Sequence, residues 1–470
     1  MLILSALFSN SSDGFKQHIS LQKLPFFSYY STMKVTNWGN YPVIDATVHT
    51  PSTIEEVKKV VAGSGELIAR GLGRCYGDSS LNHTILSTLR LNHIAAFDEQ
   101  TGMITCESGV SLAEILDAFV PRGWFLPVTP GTKFITVGGA IASDVHGKNH
   151  HVAGSFSNHV QTMTLLLSDS SVVVCSKMEN SDLFWATCGG MGLTGIILEA
   201  TFQLKKIETA YIRQRVIKVR NIDEAVEQFE KNQHWTYSMA WIDCLAKGES
   251  LGRSALLLGE HATRDEVGYR YSNPLKITKH LSATVPLYFP DFALNTFSVK
   301  LFNFARYIAY KSGDSFVDYE PFFYPLDAVL EWNKIYGKRG FTQYQFGIPK
   351  SNSAEGLKII LKRIAESGEG SFLAVLKLFG KQEGVLSFPQ EGYTLALDFP
   401  ITPATLSLLN ELDEIVTQFG GRLYLTKDVR MKKEVFEKGY QCLPAFIETK
   451  KKYDPQRKFL SLQSRRIGIV

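Results

Sequence analysis

The chain has 470 residues, more than a single hydrophobic core usually organises, so we expect two domains or one domain interrupted by another. Hydrophobic residues make up 44% and charged residues 20%, which is close to ordinary globular usage and argues against intrinsic disorder. The formal net charge is only +4 and no dense stripe of Lys and Arg is present, so no nucleic-acid partner is expected.

Six cysteines are scattered along the chain without a C-x-x-C pair, which predicts reduced thiols in a cytoplasmic protein and no disulfide framework. No apolar run approaches the roughly 20 residues that span a bilayer, so any contact with the inner membrane is expected to be peripheral. Residues 1–32 lack a helical period and the basic start of a signal peptide. We leave them unassigned and take Met33 as a candidate start.

Residues 41–204 alternate short apolar runs with helical patterns, as is typical of an α+β fold with many short strands. Two helices are predicted behind capping boxes, one opened by Ser52 and Glu55 and the other by Ser111 and Glu114. No G-x-G-x-x-G turn joins a strand to a helix near the N-terminus, which argues against a nicotinamide-binding domain. Strands are predicted at 66–69, 102–107, 163–167 and 171–175.

Beyond residue 208 the strands lengthen and aromatic residues become more frequent. The stretch 262–300 has little periodicity, so it is either a solvent-covered excursion or a mobile lid over an apolar substrate. A helix is predicted over 402–419, ending at a Gly-Gly pair. The strand predicted to follow it, 422–426, places Lys427 at its end, where functional side chains are often presented.

Three glycine-rich segments carry the chemistry of the first half of the chain. RGLGRCYGD (70–78) brings backbone amides within reach of a diphosphate, although a plain tight turn also accounts for it. PVTPGTKFITVGGAIA (127–142) leads into a loop with three histidines, but metal-ligand spacing is missing and no metal is expected. With CGGMGLTGII (188–197), these segments predict a long ligand with a diphosphate that is held by backbone at several points.

Together with YQFGIP, FLAVLKLFG, GGRLYLTKD and YDPQRKF, these segments resemble, in the same order, the decaprenylphosphoryl-β-D-ribose 2'-oxidase family of FAD-linked oxidases of the vanillyl-alcohol-oxidase type. The resemblance runs from about residue 38 to the end of the chain. It implies a two-domain α+β fold, with a PCMH-type FAD-binding domain and a substrate domain built on an antiparallel sheet. The FAD-binding domain would begin with 33–207, the substrate domain would cover 208–420, and 421–470 would return to the FAD-binding domain.

The resemblance also implies roles for individual residues. Lys427, His146 and Lys148 would be catalytic, the first because an ammonium stabilises the negative charge of a reduced flavin. A surface lysine at a strand end is the alternative for Lys427, and loop residues that only tie down backbone are the alternative for His146 and Lys148. The residues implied in FAD binding are Arg70, Gly71, Leu72, Gly73, Arg74, Cys75, Tyr76, Gly131, Thr132, Thr136, Gly138, Gly139, Ser143, His146, Gly147, Asn149, Gly195, Ile197, Tyr424 and Lys427. Those implied in substrate binding are Tyr76, Lys148, Trp241, Phe323, Gln343, Gln345, Val375, Lys377, Thr394 and Ala396.

The substrate side depends on alternation along strands. Gln343 and Gln345 flank one residue, so both side chains project from the same face, where sugar hydroxyls would be their partners. Lys377 would meet the substrate phosphate. Trp241 and Phe323 would wall the pocket, although either fits a core position equally well.

Two differences from relatives bear on the expected pocket. Many relatives in the wider superfamily attach the flavin covalently through a histidine at the position of Arg74, so FAD is expected to bind here without a covalent link. The mycobacterial branch carries a cysteine and an asparagine where this chain has Ala396 and Thr394. The pocket shape and the preferred lipid are therefore left open.

The implied reaction is oxidation of the C2 hydroxyl of a polyprenyl-phosphoryl-β-D-ribose to the 2-keto sugar, the first half of an epimerisation to the arabinose form. His146, Lys427 or a water between them would accept the hydroxyl proton. A quinone would be the electron acceptor and a nicotinamide-dependent short-chain reductase the pathway partner. Two alternatives stay open: an oxygen-using oxidase of a free sugar, alditol or aldonolactone, and a flavin-containing binding protein without turnover.

Overall fold

A small mixed sheet opens the fold in the computed structural model, which describes residues 30–268, 272–278 and 282–470. Its strands are β1 (Tyr30–Val35), β2 (Ile44–His49), β3 (Ile68–Arg70) and β4 (Thr84–Ser87). They lie in the order β1-β2-β4-β3, with β4 parallel to both of its neighbours and β1 antiparallel to β2. Because β1 begins at Tyr30, three of the residues that the sequence left unassigned belong to this sheet, and residues 1–29 lie outside the described part.

A second, antiparallel sheet follows. The next seven strands are β5 (Ile94–Phe97), β6 (Met103–Glu107), β7 (Trp124–Phe125), β8 (Val160–Leu166), β9 (Val172–Ser176), β10 (Ile196–Gln203) and β11 (Lys205–Lys206). The sheet has the order β5-β6-β10-β8-β9, and β7 pairs with β11 in a separate ribbon. The helices of this half are α1 (Ile54–Gly63), α2 (Leu112–Phe119), α3 (Val137–Ala142), α4 (His150–Ala153) and α5 (Ser181–Thr187). These elements enclose the glycine-rich loops.

A larger antiparallel sheet dominates the rest of the molecule. The remaining strands are β12 (Tyr211–Val219), β13 (Tyr237–Ile242), β14 (Ser254–His261), β15 (Ala283–Thr284), β16 (Gly313–Asp318), β17 (Val329–Leu330), β18 (Phe341–Pro349), β19 (Ala374–Phe379), β20 (Gly392–Pro400) and β21 (Arg422–Leu423). The large sheet has the order β16-β12-β14-β13-β19-β20-β18-β21, and β15 pairs with β17 apart from it. The predicted α+β class with an antiparallel substrate sheet is confirmed.

Helices cover one face of the large sheet and continue towards the C-terminus. They are α6 (Ile222–Lys231), α7 (Arg264–Val267), α8 (Thr296–Ala309), α9 (Tyr319–Phe323), α10 (Lys350–Ser367), α11 (Pro403–Gln418), α12 (Lys433–Gly439), α13 (Leu443–Tyr453) and α14 (Leu462–Arg466). No helix within the described ranges combines the length and the apolar character needed to cross a membrane. The irregular stretch 262–300 contains α7, β15 and the start of α8, while Tyr269 and Tyr271 lie outside the described residues.

Strand alternation divides the large sheet into a core face and a face towards the small sheets. Leu376, Leu395, Leu397 and Phe346 point into the core with α10 and α11. The residues between them point the other way. Trp241 is paired with Val375, Val375 with Ala396, and Ala396 with Gln345, so one row of side chains crosses four strands.

The C-terminal segment reaches the first half of the molecule. The Leu67 amide donates to the Lys458 carbonyl at 2.8 Å, and the Leu460 amide donates to the Leu67 carbonyl at 3.1 Å. Phe459 is fully buried in the core cluster around Leu67 and Val57. The chain therefore crosses from the edge of the large sheet at β21 to the small mixed sheet.

The ends of several predicted elements differ from the structure, and two of the differences involve residues with a predicted role. Helix α1 begins one residue later than predicted, so Thr53 is its N-cap and Glu56, in place of Glu55, folds back onto the Ser52 amide at 2.7 Å. The strand predicted at 422–426 stops after two residues, because the chain leaves the sheet edge in a tight turn over Leu425–Lys427. The capping box of Ser111 and Glu114 is confirmed.

Candidate active site

A cavity of about 360 Å³ lies between the glycine-rich loops and the outward face of the large sheet. Its walls come from the small mixed sheet, the second sheet, the large sheet and the turn at 425–427. The predicted residues that line it are Arg70, Gly71, Leu72, Gly73, Arg74, Cys75, Tyr76, Gly131, Thr132, Thr136, Gly138, Gly139, Ser143, His146, Gly147, Lys148, Gly195, Ile197, Trp241, Phe323, Gln343, Gln345, Val375, Lys377, Ala396, Tyr424 and Lys427.

Two of the predicted residues do not line the cavity. The Asn149 side chain donates to the Pro127 carbonyl at 2.8 Å and so holds the second glycine loop from behind. The Thr394 hydroxyl donates to the Phe346 carbonyl at 2.8 Å and lies beneath Gln345. Both residues support residues of the wall and do not form it.

The first glycine loop presents unpaired backbone to the cavity. Within the described residues, the amide N–H groups of residues 71–75 donate no hydrogen bond to the protein. Gly71 has no room for a Cβ atom, because the Thr136 hydroxyl occupies that space, and Gly73 has a φ of 64°. Consecutive free amides form an anion-binding concavity, so this loop suits a diphosphate.

The other two loops extend the same groove. A Cβ atom on Gly138 would lie 2.9 Å from the Ser108 Cβ, so Ser108 and the second loop are packed as closely as backbone allows. Ser108 Oγ is buried and has no hydrogen-bond partner among the described residues. Gly195 and Ile197, from the third loop, line the far end of the groove. A buried hydroxyl without a partner beside a long groove calls for a polar ligand, and the groove therefore fits FAD.

The side chains of Arg74 and of the histidine loop are held by contacts within the protein. The Arg74 guanidinium lies 3.9 Å from the centroid of the Trp38 ring and offers no nucleophile for a covalent flavin link. His150 accepts from the Gly380 amide at 3.2 Å, and His151 lies 2.9 Å from the Trp235 carbonyl, so each ring is tied to backbone. Across the described ranges, no group of three metal-ligating side chains is found.

Three lysines meet at the substrate end of the cavity. Lys427 Nζ lies 4.0 Å from the centroid of the Tyr76 ring, and Lys148 Nζ lies 4.4 Å from that of Phe322. Lys148 also donates to the Phe322 carbonyl. Burial lowers the pKa of Lys377 to about 8, and burial with the neighbouring Lys377 charge lowers the pKa of Lys148 to about 7. These ammonium groups lack the water that normally stabilises them, so the site favours anions.

His146 has a defined tautomer. Gln345 Nε2 lies 3.0 Å from His146 Nε2 and 3.3 Å from Thr394 Oγ1. Because the Thr394 hydroxyl donates to the Phe346 carbonyl, it accepts from Gln345, and the second amide hydrogen points at His146 Nε2. The imidazole proton is therefore on Nδ1, which is buried without a partner among the described residues. Burial lowers the pKa of His146 well below its usual value and keeps the ring neutral.

Asp398 is a functional candidate that sequence reasoning missed. It is directly opposite Gln343 in the pairing of β18 with β20, and Gln343 Nε2 donates to its Oδ1 at 2.6 Å. Burial raises the pKa of Asp398 to about 7, against the Gln343 hydrogen bond and the charge of Lys427. Burial lowers the pKa of Lys427 to about 8, and the Asp398 carboxylate opposes that shift. The sequence signal that could have identified Asp398 is a charged residue inside the apolar run LALDFP.

Comparisons with known proteins agree with this arrangement. Residues 46–176 match the family model described as an FAD binding domain. The chain is 38% identical over 455 residues to decaprenylphosphoryl-β-D-ribose oxidase of Mycolicibacterium smegmatis, a match that covers 94% of this chain and 98% of the relative. It is also 32% identical to an uncharacterised protein of Streptomyces coelicolor, over 77% of this chain and all of the relative. L-gulonolactone oxidase of Bos taurus is 26% identical over 37% of this chain and 41% of its own length. The chain therefore belongs to the decaprenylphosphoryl-β-D-ribose oxidase family, and it is an FAD-dependent oxidoreductase.

Proposed function

We propose that the protein oxidises the C2 hydroxyl of a polyprenyl-phosphoryl-β-D-ribose to the 2-keto sugar, as the first half of an epimerisation to the arabinose form. The observation that carries the proposal is the meeting of Lys148, Lys377 and Lys427 with the glycine loops in one cavity. Three buried cations opposite a dinucleotide groove suit a substrate that is both an alcohol and a phosphate. FAD, when bound, supplies the acceptor for the hydride that leaves C2.

The substrate end of the cavity divides into a sugar region and a phosphate region. Gln343 and Gln345 face the cavity from one strand and retain their amide oxygens for sugar hydroxyls, since their amide nitrogens are engaged by protein groups. The Lys377 side chain has no hydrogen bond to any described residue. It lies on β19, two strands away from the glutamines on β18, and is available to a phosphate. Trp241 and Val375 extend this wall with apolar surface that fits the first part of a lipid.

Lys427 is the group best placed to accept the hydroxyl proton. His146 has no nitrogen free to accept a proton, because Gln345 donates to Nε2 and Nδ1 carries the ring hydrogen. Lys427 Nζ lines the cavity, and its lowered pKa of about 8 provides a substantial fraction of free amine near neutral pH. The ammonium that forms would stabilise the negative charge of a reduced flavin held in the same cavity.

The test is anaerobic reduction of the purified yellow holoenzyme in a stopped-flow instrument. We expect a short-chain polyprenyl-phosphoryl-β-D-ribose to bleach the flavin, and Lys427→Met to slow bleaching by about a hundredfold or more while retaining FAD. Lys205→Met is the matched control, because Lys205 contacts Tyr237 outside the cavity. Reduction by a soluble aldonolactone, with hydrogen peroxide released once oxygen is admitted, would support the oxygen-using oxidase. Binding of the lipid without bleaching would support the binding protein without turnover.

We also propose the partners that this chemistry requires. A quinone would reoxidise the flavin, and a nicotinamide-dependent short-chain reductase would reduce the 2-keto sugar. The protein would work in the cytoplasm, in peripheral contact with the inner membrane. Steady-state turnover with a soluble quinone in place of oxygen, and formation of the arabinose epimer once a reductase is added, would test these assignments.

A further inference from the structure

Helix α8 carries a continuous apolar stripe that faces solvent. Phe297, Leu301, Phe304 and Ile308 recur at intervals of three and four residues, and their exposed fractions are 76%, 48%, 51% and 56%. Residues at this spacing lie on one side of a helix, so the four side chains form a single patch. A soluble surface rarely leaves such a patch uncovered unless it binds something.

The orientation of α8 is fixed from its other side. Asn303 is fully buried, and its amide donates to Asp243 Oδ1 and to the Ser371 carbonyl, both at 3.2 Å. Phe302 packs against Phe372 with ring centroids 5.6 Å apart. Turning the helix to hide the apolar stripe would move Asn303 out of the core and remove the hydrogen bonds that it donates to Asp243 and Ser371. The exposed face is therefore a built feature of the fold.

The charged residues of the segment that carries the stripe have one sign. Residues 292–312 contain Lys300, Arg306 and Lys311 and no acidic residue. Lys300 and Lys311 are exposed and form no ion pair within the described residues. The acidic residues just outside this segment are already paired, Asp291 with Arg339 at 2.7 Å and Asp314 with Arg215 at 2.6 Å. An apolar helix face flanked by unpaired lysines is complementary to an anionic lipid surface.

Helix α8 also borders the active-site cavity, on the side opposite the stripe. Arg306 lies on α8 and lines the cavity, with its guanidinium 5.5 Å from the centroid of the Trp241 ring. Exposed Leu287 and Phe292 precede the helix and add apolar surface to the same segment. A bilayer in contact with the stripe would thus be separated by α8 from the part of the cavity that Trp241 lines.

We propose that α8 is an interfacial helix that docks the protein on an anionic bilayer and holds the cavity one helix away from the lipid surface. The docking itself follows from the exposed stripe and its charges, while its purpose, delivery of a lipid-linked sugar, rests on the proposed function. Phe297, Leu301, Phe304 and Ile308 would enter the acyl boundary, and Lys300 and Lys311 would meet headgroup phosphates.

Vesicle sedimentation of the holoenzyme tests the proposal without any substrate. We expect binding to vesicles of phosphatidylcholine and phosphatidylglycerol, and roughly tenfold weaker binding for Phe297→Ser with Phe304→Ser. Lys300→Ala with Lys311→Ala should weaken binding to these vesicles by roughly twentyfold or more and leave binding to pure phosphatidylcholine unchanged. A control variant, Met178→Ser with Val174→Ser, changes two exposed apolar residues outside α8. It should bind vesicles as the unchanged protein does.

Flavin reduction by a water-soluble, short-chain substrate should be equal in all of these variants, which shows that they fold and load FAD. Equal vesicle binding by the unchanged protein and the phenylalanine variant would overturn the proposal. So would a dimer in sedimentation velocity that the phenylalanine variant converts to a monomer, with no vesicle binding, because a second copy would then cover the stripe. If vesicles bind but the lipid-linked sugar never reduces the flavin, the docking stands and the proposed function fails.

Discussion

Asp398→Asn should move the pH dependence of flavin reduction to lower pH. The substitution keeps the shape of the side chain and removes the carboxylate that raises the pKa of Lys427. A nearby opposite charge shifts a pKa by about 1 to 3 units, so the pKa of Lys427 should fall from about 8 to about 7 or below. If free amine at Lys427 accepts the proton, its fraction at pH 7 rises from roughly a tenth to roughly a half.

The assay is the substrate-saturated rate of anaerobic flavin reduction between pH 5.5 and pH 9.5. We expect the rate of the unchanged protein to rise with pH and reach its half-maximum near pH 8, and that of Asp398→Asn to reach it about one unit lower. The plateau of the variant should be lower, because a weaker base removes the proton less effectively. Asp144→Asn is the control, since Asp144 is fully buried with a pKa raised to about 6 but does not act on Lys427.

Two results would refute this reasoning. Superimposable half-maxima for Asp398→Asn and the unchanged protein would mean that Asp398 does not set the pKa of the essential group. A rate that falls above pH 8 would mean that the ammonium form of Lys427 is required, so that another group or a water accepts the proton.

Three further substitutions test separate parts of the site. Lys377→Met should raise KM for a sugar phosphate by about tenfold or more with a smaller change in kcat, measured by steady-state kinetics, because a charged hydrogen bond to the substrate is lost. Gly71→Ala should weaken FAD binding by roughly tenfold in a fluorescence titration, since the new Cβ would overlap the Thr136 hydroxyl, whereas Gly63→Ala, at the end of α1 outside the cavity and with open space at its Cβ, should not. Lys450→Met should lower the free energy of unfolding by about 3 to 5 kcal/mol in denaturant titration, because it leaves a buried carboxylate without its partner at 2.7 Å.

Local sequence patterns predicted the parts of the site that depend on backbone type. The three glycine segments were recognisable because a close approach of backbone to a ligand requires residues without a Cβ atom. Alternation placed Gln343 and Gln345 on one face, and both line the cavity. The helix predicted over 402–419 was also confirmed, as α11, because its start and end signals lie within the segment itself.

Features that depend on pairing between distant strands could not be predicted. Asp398 faces Gln343 only because β18 and β20 pair in one particular register, and a shift of one residue would turn the carboxylate into the core. Thr394 was assigned to the pocket wall by the family resemblance, but Gln345 covers it. Arg306 lines the cavity from α8, a helix that the sequence analysis did not predict.

The crowding of cations in the cavity connects binding with chemistry. Lys148 and Lys377 have lowered pKa values, about 7 and about 8. A bound phosphate favours their charged forms, so these lysines must take up protons on substrate binding when the pH lies near or above those values. Affinity for the lipid-linked sugar should therefore fall as the pH rises through this range, while removal of the hydroxyl proton by Lys427 becomes faster. The two trends oppose each other, so kcat/KM should pass through a maximum between about pH 7 and pH 8, whereas the reduction rate at saturation continues to rise. A kcat/KM profile that rises in parallel with the reduction rate would show that the phosphate does not bind at these lysines.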